Sequence, residues 1–183
     1  MQERLSEECN VLVRVMRDGT EIDRREGHNV WTNTGREYSA LLKSYRPNGT
    51  DPFRNDRIAY VGLGGGTQPE DVTVLSLVTP LAFADDTTWL KRIDHTRTLF
   101  PEAGSRLTVR YTARFTASDF SGAEAFISEC GLFTDGHPVT FQAGGRPTLL
   151  AEASRQSPLA YHTFSPIPKT PDIEIELIWE LRH

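Results

Sequence analysis

The stretch Arg106-Leu107-Thr108-Val109-Arg110-Tyr111-Thr112-Ala113-Arg114-Phe115-Thr116 alternates polar and apolar side chains without a break. This period of two is typical of an antiparallel strand with one face in a core and the other in water. The chain ends on a similar pattern between residues 173 and 181. The polar faces of the two stretches carry opposite charges, on Arg106, Arg110 and Arg114 and on Glu174, Glu176 and Glu180.

Opposite charges that face each other across a ladder stabilise strand pairing. We therefore predict that the two stretches are neighbours in one sheet or pair across a subunit boundary. The six charged residues are candidate interface residues for the same reason.

Residues 9–30 are predicted to form a β-hairpin. Val11, Val13 and Val15 alternate before Asp18-Gly19, a pair that favours a primed two-residue turn. The return strand is so highly charged that it should lie at a sheet edge or have a solvated face. Further strands are predicted at 57–63, 89–100, 126–133 and 148–154.

One helix is predicted, from Thr34 to Tyr45. Thr34 and Glu37 have the spacing of a capping box, and apolar residues follow from Tyr38 at helical spacing. Pro47 ends the pattern. A single helical turn is expected between Val72 and Val78.

These elements predict a mainly β fold: one antiparallel β-sandwich domain over residues 1–183, with one short α-helix in its N-terminal half. The proline-rich segment 157–171 is extended and poor in backbone donors. It is predicted to be either an arm that reaches a neighbouring subunit or a surface connection between the sheets. Pro166 and Pro168 are therefore candidate interface residues.

The stretch Tyr60-Val61-Gly62-Leu63-Gly64-Gly65-Gly66-Thr67 ends a strand in three consecutive glycines, which suggests a nucleotide-binding loop. A phosphate-binding loop needs a lysine followed by a hydroxyl residue after its last glycine. Here Glu70 and Asp71 come soon after the turn and would repel an anion. We therefore interpret Gly62, Gly64, Gly65 and Gly66 as a structural turn that permits positive φ angles and close backbone approach.

The composition excludes several classes of protein. The chain has 183 residues and a net charge of −5, which suits one domain and argues against a nucleic-acid partner bound through a basic surface. No apolar run has the length of a membrane span, and residues 1–8 are too charged for a signal peptide. Cys9 and Cys130 are expected to be free thiols in a reducing cytoplasm.

Candidate reactive groups are scattered along the chain. Cys130, His137 and Asp135 can be written as a nucleophilic triad, but Cys130 lies among apolar strand residues, where a buried inert thiol is expected. The five histidines lack the spacing of metal ligands. We expect no catalytic residue, no cofactor and no metal, and interpret the chain as a non-enzyme. The tryptophans Trp31, Trp89 and Trp179 are expected to be core or interface anchors.

The order of five motifs resembles that of small virion structural proteins of tailed bacteriophages, of the tail-fibre, baseplate and head–tail accessory type. The first motif consists of His28-Asn29, Asn33 and Gly35, at the start of the predicted helix. The second runs from Tyr60 to Gly66 and ends a strand. The motifs continue with Glu129-Cys130-Gly131-Leu132-Phe133, Phe164 to Lys169 and the closing Trp179-Glu180-Leu181. The three-glycine turn and the charged N-terminal hairpin depart from the usual pattern, and the hairpin is interpreted as an added docking element.

The resemblance implies a non-enzymatic protein built in many copies into the virion after synthesis in the host cytoplasm. Its partners would be other copies of itself and other virion proteins, with no nucleic acid and no membrane. The tail, baseplate or fibre-attachment region is the first expectation, and a capsid-decorating or head–tail collar protein is an alternative. Another alternative is a module that binds a host-surface carbohydrate on an exposed platform formed by Trp31, Trp89, Tyr60 or Tyr161.

Overall fold

The computed structural model describes residues 9–44, 58–81, 90–101, 107–119, 125–134, 139–141, 147–149 and 157–182. Twelve strands and one α-helix lie in these ranges. They are β1 (Cys9–Arg17), β2 (Thr20–His28), β3 (Val30–Trp31), α1 (Asn33–Ser44), β4 (Ile58–Gly64), β5 (Leu90–Arg92), β6 (Asp94–Pro101), β7 (Leu107–Phe115), β8 (Ala125–Thr134), β9 (Val139–Phe141), β10 (Pro147–Leu149), β11 (Ala160–Lys169) and β12 (Glu174–Arg182).

The described strands form two five-stranded antiparallel sheets. The first sheet has the order β2-β1-β12-β7-β6, and the second has the order β3-β11-β8-β4-β5; β9 and β10 form a separate hairpin. The main core contains fully buried side chains from both sheets, among them Phe115 and Trp179 from the first and Val61 and Leu132 from the second. The predicted mainly β sandwich with one helix is confirmed.

The predicted neighbourhood of the two alternating stretches is also confirmed, because β7 pairs with β12 in the first sheet. Arg110 lies opposite Glu180, and its Nε donates to the Glu180 carboxylate at 2.8 Å. Arg114 of β7 donates a hydrogen bond to Glu174 of β12. Arg106 lies outside the described residues. The role of these residues at a subunit interface stays a prediction.

The N-terminal hairpin has the predicted turn and position. Asp18 and Gly19 both have positive φ angles, of 50° and 76°, as a type I′ turn requires. β2 is an edge strand of the first sheet, which explains its charged sequence, because charges at an edge prevent unwanted strand pairing.

The helix begins at Asn33, and the predicted cap at Thr34 is wrong. Thr32 is the N-cap residue, because its Oγ1 accepts a hydrogen bond from the backbone N–H of Gly35 at 3.1 Å. Thr32 is fixed in this position by a hydrogen bond from its own N–H to the carbonyl of Leu159 at 2.9 Å. Tyr45 lies outside the described residues.

The proline-rich segment 157–171 is extended, as predicted, but it is built into the second sheet; its role as an arm towards a neighbouring subunit stays a prediction. Most of the segment is strand β11, which pairs with β8 over much of its length and with β3 at Ala160 and Tyr161. The pairing with β8 is irregular between Thr163 and Ile167, and this irregularity accommodates Pro166. A strand tolerates proline at such bulges and where its edge is open.

Two further predictions need correction. Residues 72–78 form a turn and irregular backbone without a helix. The predicted strand 89–100 is two strands, because β5 belongs to the second sheet and β6 to the first. Ile93, between them, packs against the core, and this change of sheet explains why the stretch lacks clean alternation. Of the predicted strand 148–154, only its start lies in the described residues, within β10.

Candidate functional site

Residues 65–81, here called the glycine loop, leave β4 and return to its end. The N–H of Gly65 donates to the carbonyl of Thr79 at 2.9 Å, and the N–H of Leu81 donates to the carbonyl of Leu63 at 2.9 Å. The ends of the loop are therefore held together, as in a compact Ω-loop. Its side chains Val74 and Leu77 form a second, smaller apolar cluster with two residues of the second sheet, Phe133 and Tyr161.

The glycine loop is closed by the carboxylate of Glu129, a residue of β8 with no exposed surface. Its Oε1 accepts hydrogen bonds from the backbone N–H groups of Gly66 at 3.1 Å, Val78 at 2.9 Å and Thr79 at 3.0 Å. Its Oε2 accepts a hydrogen bond from the hydroxyl of Tyr161 at 2.7 Å. We call this group of five residues the carboxylate junction. Because protein donors surround both oxygens, the carboxylate is arranged to hold backbone rather than to transfer protons to a substrate.

Ser128 and Tyr161 further stabilise the contact between β8 and the glycine loop. The Oγ of Ser128 donates to the carbonyl of Gly66 at 2.6 Å, so adjacent residues of β8 bind both backbone groups of one glycine. Burial and the hydrogen bond to Glu129 raise the pKa of Tyr161 above its usual value. The phenol therefore stays protonated and remains a donor.

The consecutive glycines are explained by the space around this carboxylate. A Cβ at Gly64 would lie 2.4 Å from Oε1 of Glu129, and one at Gly66 would lie 2.3 Å from Cβ of Val78. A Cβ at Gly65 would lie 2.7 Å from the carbonyl oxygen of Phe126. Among the described glycines only Gly19 has a positive φ, so the expected positive φ angles at this turn are wrong. Close approach is the reason for the glycines.

The glycine loop is tied to the sandwich at two further points. Glu70 accepts a hydrogen bond from the N–H of Thr163 at 2.7 Å, and the N–H of Asn33 donates to the carbonyl of Val72 at 2.7 Å. Nδ1 of the buried His162 lies 2.7 Å from Oε1 of Glu70, without the alignment of a hydrogen bond. Burial lowers the pKa of His162, although the Glu70 carboxylate opposes this shift.

Three of the motifs therefore meet at the glycine loop. They contribute Asn33, the glycines Gly64 and Gly66, and Glu129. Sequence reasoning missed Glu129 because its backbone partners are 50 to 63 positions away. The sequence does contain one signal that points to Glu129. A carboxylate within an otherwise apolar strand needs hydrogen-bond donors from elsewhere in the fold.

The expected burial of the Cys130 thiol is confirmed. Cys130 is a free, fully buried cysteine, and burial raises the pKa of its thiol well above the usual value. His137 and Asp135 lie outside the described residues. The register instead places His162 opposite Cys130, but a thiol in the main core is inaccessible to a substrate.

Within the described residues, no three His, Cys, Asp or Glu side chains are grouped as metal ligands would be. No helix in the same ranges has the length and apolar character that crossing a membrane requires.

The candidate aromatic platform is not an open row in the described part of the chain. Tyr161 is fully buried in the carboxylate junction, and Trp31 and Tyr60 are partly buried against the two apolar clusters. Trp89 lies outside the described residues. Trp179 is fully buried in the core, in agreement with its prediction as an anchor.

A groove of about 720 Å³ crosses the outer face of the first sheet, with Leu12 and Ile178 among its lining residues. The arginines that line it already contact carboxylates: Arg14 contacts Glu21 and Glu176, Arg24 contacts Glu21 and Glu26, and Arg110 contacts Glu180. The groove therefore has little uncompensated positive charge with which to bind an anion.

No protein-family model, curated protein or solved structure matches this chain.

Proposed function

We propose that this protein is a non-enzymatic structural component of a tailed-phage virion, placed in the tail, baseplate or fibre-attachment region. One observation carries the proposal. Two residues of the motifs that resemble virion proteins, Gly66 and Glu129, are used at the carboxylate junction to fix backbone, and the thiol of the neighbouring Cys130 is buried.

A part that is assembled in many copies has to present the same surface in every copy. A long irregular loop such as residues 65–81 would ordinarily sample many conformations. Here a buried carboxylate, three backbone donors and the ties at Glu70 and Asn33 hold it in one conformation. Such a rigid surface loop suits a protein whose work is packing against neighbours.

A capsid-decorating or head–tail collar protein belongs to the same structural class and would use the same geometry. The carbohydrate-binding alternative receives less support, because Tyr161 is buried and the described aromatic candidates form no open stacking row.

Quantitative mass spectrometry of particles tests the proposal. Particles are purified through a density gradient from the culture that produces this chain, and its amount is compared with that of the major capsid protein. We expect a fixed stoichiometry that persists through a salt wash and a second gradient. A chain that stays in the soluble fraction, or whose ratio varies between preparations, would contradict the proposal.

A further inference from the structure

Four large apolar side chains of the described residues are strongly exposed: Ile22, Leu75, Val78 and Phe126. Ile22 lies on the hairpin of the first sheet. The other three belong to the glycine loop or to β8 beneath it. Two of these three, Val78 and Phe126, lie against adjacent glycines of the turn, and exposed apolar groups that lie together indicate an interaction surface, whereas single ones do not.

Phe126 and Val78 flank the glycine turn. If Gly65 had a Cβ, that atom would lie 2.7 Å from the carbonyl oxygen of Phe126. If Gly66 had a Cβ, it would lie 2.3 Å from Cβ of Val78. Phe126 has 64% of its surface exposed and Val78 has 52%.

Prolines continue this surface. Pro168 is exposed and is the cross-strand partner of Phe126, so the two side chains share one face of the sheet. Pro80 is exposed and bridges to Gly64, and Pro166 is exposed in the irregular part of β11. We call Val78, Pro80, Phe126, Pro166 and Pro168 the apolar patch.

We propose that the apolar patch is a self-association surface, and that its occupant is the same patch of a second copy in a two-fold contact. The inference rests on the proposed function, since it identifies how copies of this structural part meet. It also gives a role to Pro166 and Pro168, which the sequence marked as candidate interface residues.

The chemistry of the patch favours a second copy over other occupants. All five side chains are uncharged, whereas the chain has a net charge of −5. Two copies therefore repel each other least where both present a neutral surface. Prolines have no N–H donors, which disfavours both strand addition and the hydrogen bonding that sugar recognition requires. A two-fold contact brings the patch of each copy against the other and buries both.

The size of the patch sets the expected strength. Five exposed apolar side chains present on the order of a few hundred Å². A two-fold contact would then bury roughly 1,000 Å² in total, which is the range of weak, reversible interfaces. Association should therefore be visible in solution only at protein concentrations on the order of 100 μM.

Sedimentation velocity of the purified chain tests this inference over a concentration series. We expect the wild type to shift from monomer to dimer, and Phe126→Asp and Val78→Ser to weaken the association at least about tenfold. Ile22→Asp is the matched control, since it places a charge at an exposed apolar residue of the other sheet. That variant should dimerise as the wild type does. Equal melting temperatures of the four proteins check that the substitutions act on association alone.

A wild type that stays monomeric throughout the series overturns the inference. Equal weakening by Ile22→Asp and Phe126→Asp also overturns it, because the effect would then be one of charge alone. The outcome is independent of the particle experiment. A monomeric chain found at fixed stoichiometry in particles contradicts only the self-association surface, and a dimer absent from particles contradicts only the proposed function.

Discussion

Glu129 is the residue on which the local geometry depends most. It lies in a strand whose neighbouring residues Ile127, Cys130 and Leu132 are all in the main core. Burying a carboxylate costs several kcal/mol unless hydrogen bonds replace its hydration. Three backbone N–H groups and the Tyr161 hydroxyl supply that replacement. The dependence is mutual, because without the carboxylate the buried N–H of Gly66 and the partly buried N–H groups of Val78 and Thr79 would lose their acceptor.

We predict that Glu129→Ala lowers the free energy of unfolding by about 3 to 5 kcal/mol, because the buried N–H of Gly66, the buried hydroxyl of Tyr161 and two partly buried N–H groups lose their acceptor. Glu129→Gln keeps an amide oxygen for the backbone donors and should cost about 1 to 2 kcal/mol. Tyr161→Phe removes a single hydrogen bond to a charged group and should cost about 1.5 to 3 kcal/mol. Urea denaturation measures all three. Equal costs for Ala and Gln would contradict the hydrogen-bonding role.

His162 makes the stability depend on pH. Its pKa in the folded protein lies below the unfolded value of 6.5, because burial disfavours the charged ring even beside Glu70. The unfolded chain therefore takes up a proton first as the pH falls. The contribution of the neutral His162 ring to the free energy of unfolding is fully present above about pH 6.5. It decreases as the pH falls from there towards the pKa of His162 in the folded protein.

We expect His162→Gln to have a flatter dependence of unfolding free energy on pH between about 7 and 5 than the wild type. The other titratable groups near this ring are Glu70 and His28. An unchanged slope in His162→Gln would show that the ring does not carry the effect.

At the scale of elements, regular periodicity was the reliable signal. β1, β7 and β12 alternate strictly on their buried faces, and the predicted bounds of β7 and β12 lie within one residue of the observed ones. The charged rows even predicted that β7 and β12 are partners. The Asp18-Gly19 turn was predictable because its two positive φ angles require a particular pair of residue types.

The elements that were missed depend on contacts distant in sequence. Thr32 caps the helix because Leu159 holds it, and no local pattern indicates that. The strand β11 is hidden by its prolines, and Pro166 lies where extra residues of β11 interrupt the regular pairing with β8. The carboxylate junction joins residues of β8, β11 and the glycine loop, so its geometry required the structure.

The glycine loop itself is testable through Gly66. An alanine there would place a methyl group 2.3 Å from Cβ of Val78 and 2.6 Å from Oε1 of Glu129. We predict that Gly66→Ala costs about 1 to 3 kcal/mol and speeds amide hydrogen exchange at Val78 and Thr79. Gly19→Ala is a useful comparison, since it meets nothing within 4 Å and strains only its own φ of +76°. That control should lower stability without loosening the loop, and equal exchange in both variants would contradict the packing argument.

At the scale of the whole molecule, the two sheets have different outer surfaces. The first sheet presents rows of paired charges, among them Arg110 with Glu180, whereas the second sheet is partly covered by the glycine loop and presents the apolar patch. Paired charges keep a surface soluble, and an uncharged patch allows contact with a neighbour. This asymmetry is compatible with the structural role proposed above.

A double-mutant cycle on Arg110→Gln and Glu180→Gln measures the contribution of the charged rows. We expect a coupling of about 0.2 to 1 kcal/mol, since the pair is partly exposed, and a smaller value at high salt. The control cycle combines Arg110→Gln with Glu174→Gln, a position about 20 Å further along the strand by the rise per residue. Equal coupling in both cycles would contradict a specific cross-strand pair.

The most direct test of the central claim is an averaged electron cryo-microscopy map of the particle. We predict density for two packed five-stranded sheets at symmetry-related positions in the tail, baseplate or fibre-attachment region, with the glycine loop against a neighbouring subunit. A map in which every density is accounted for by other proteins, with none left for this sandwich, would contradict it.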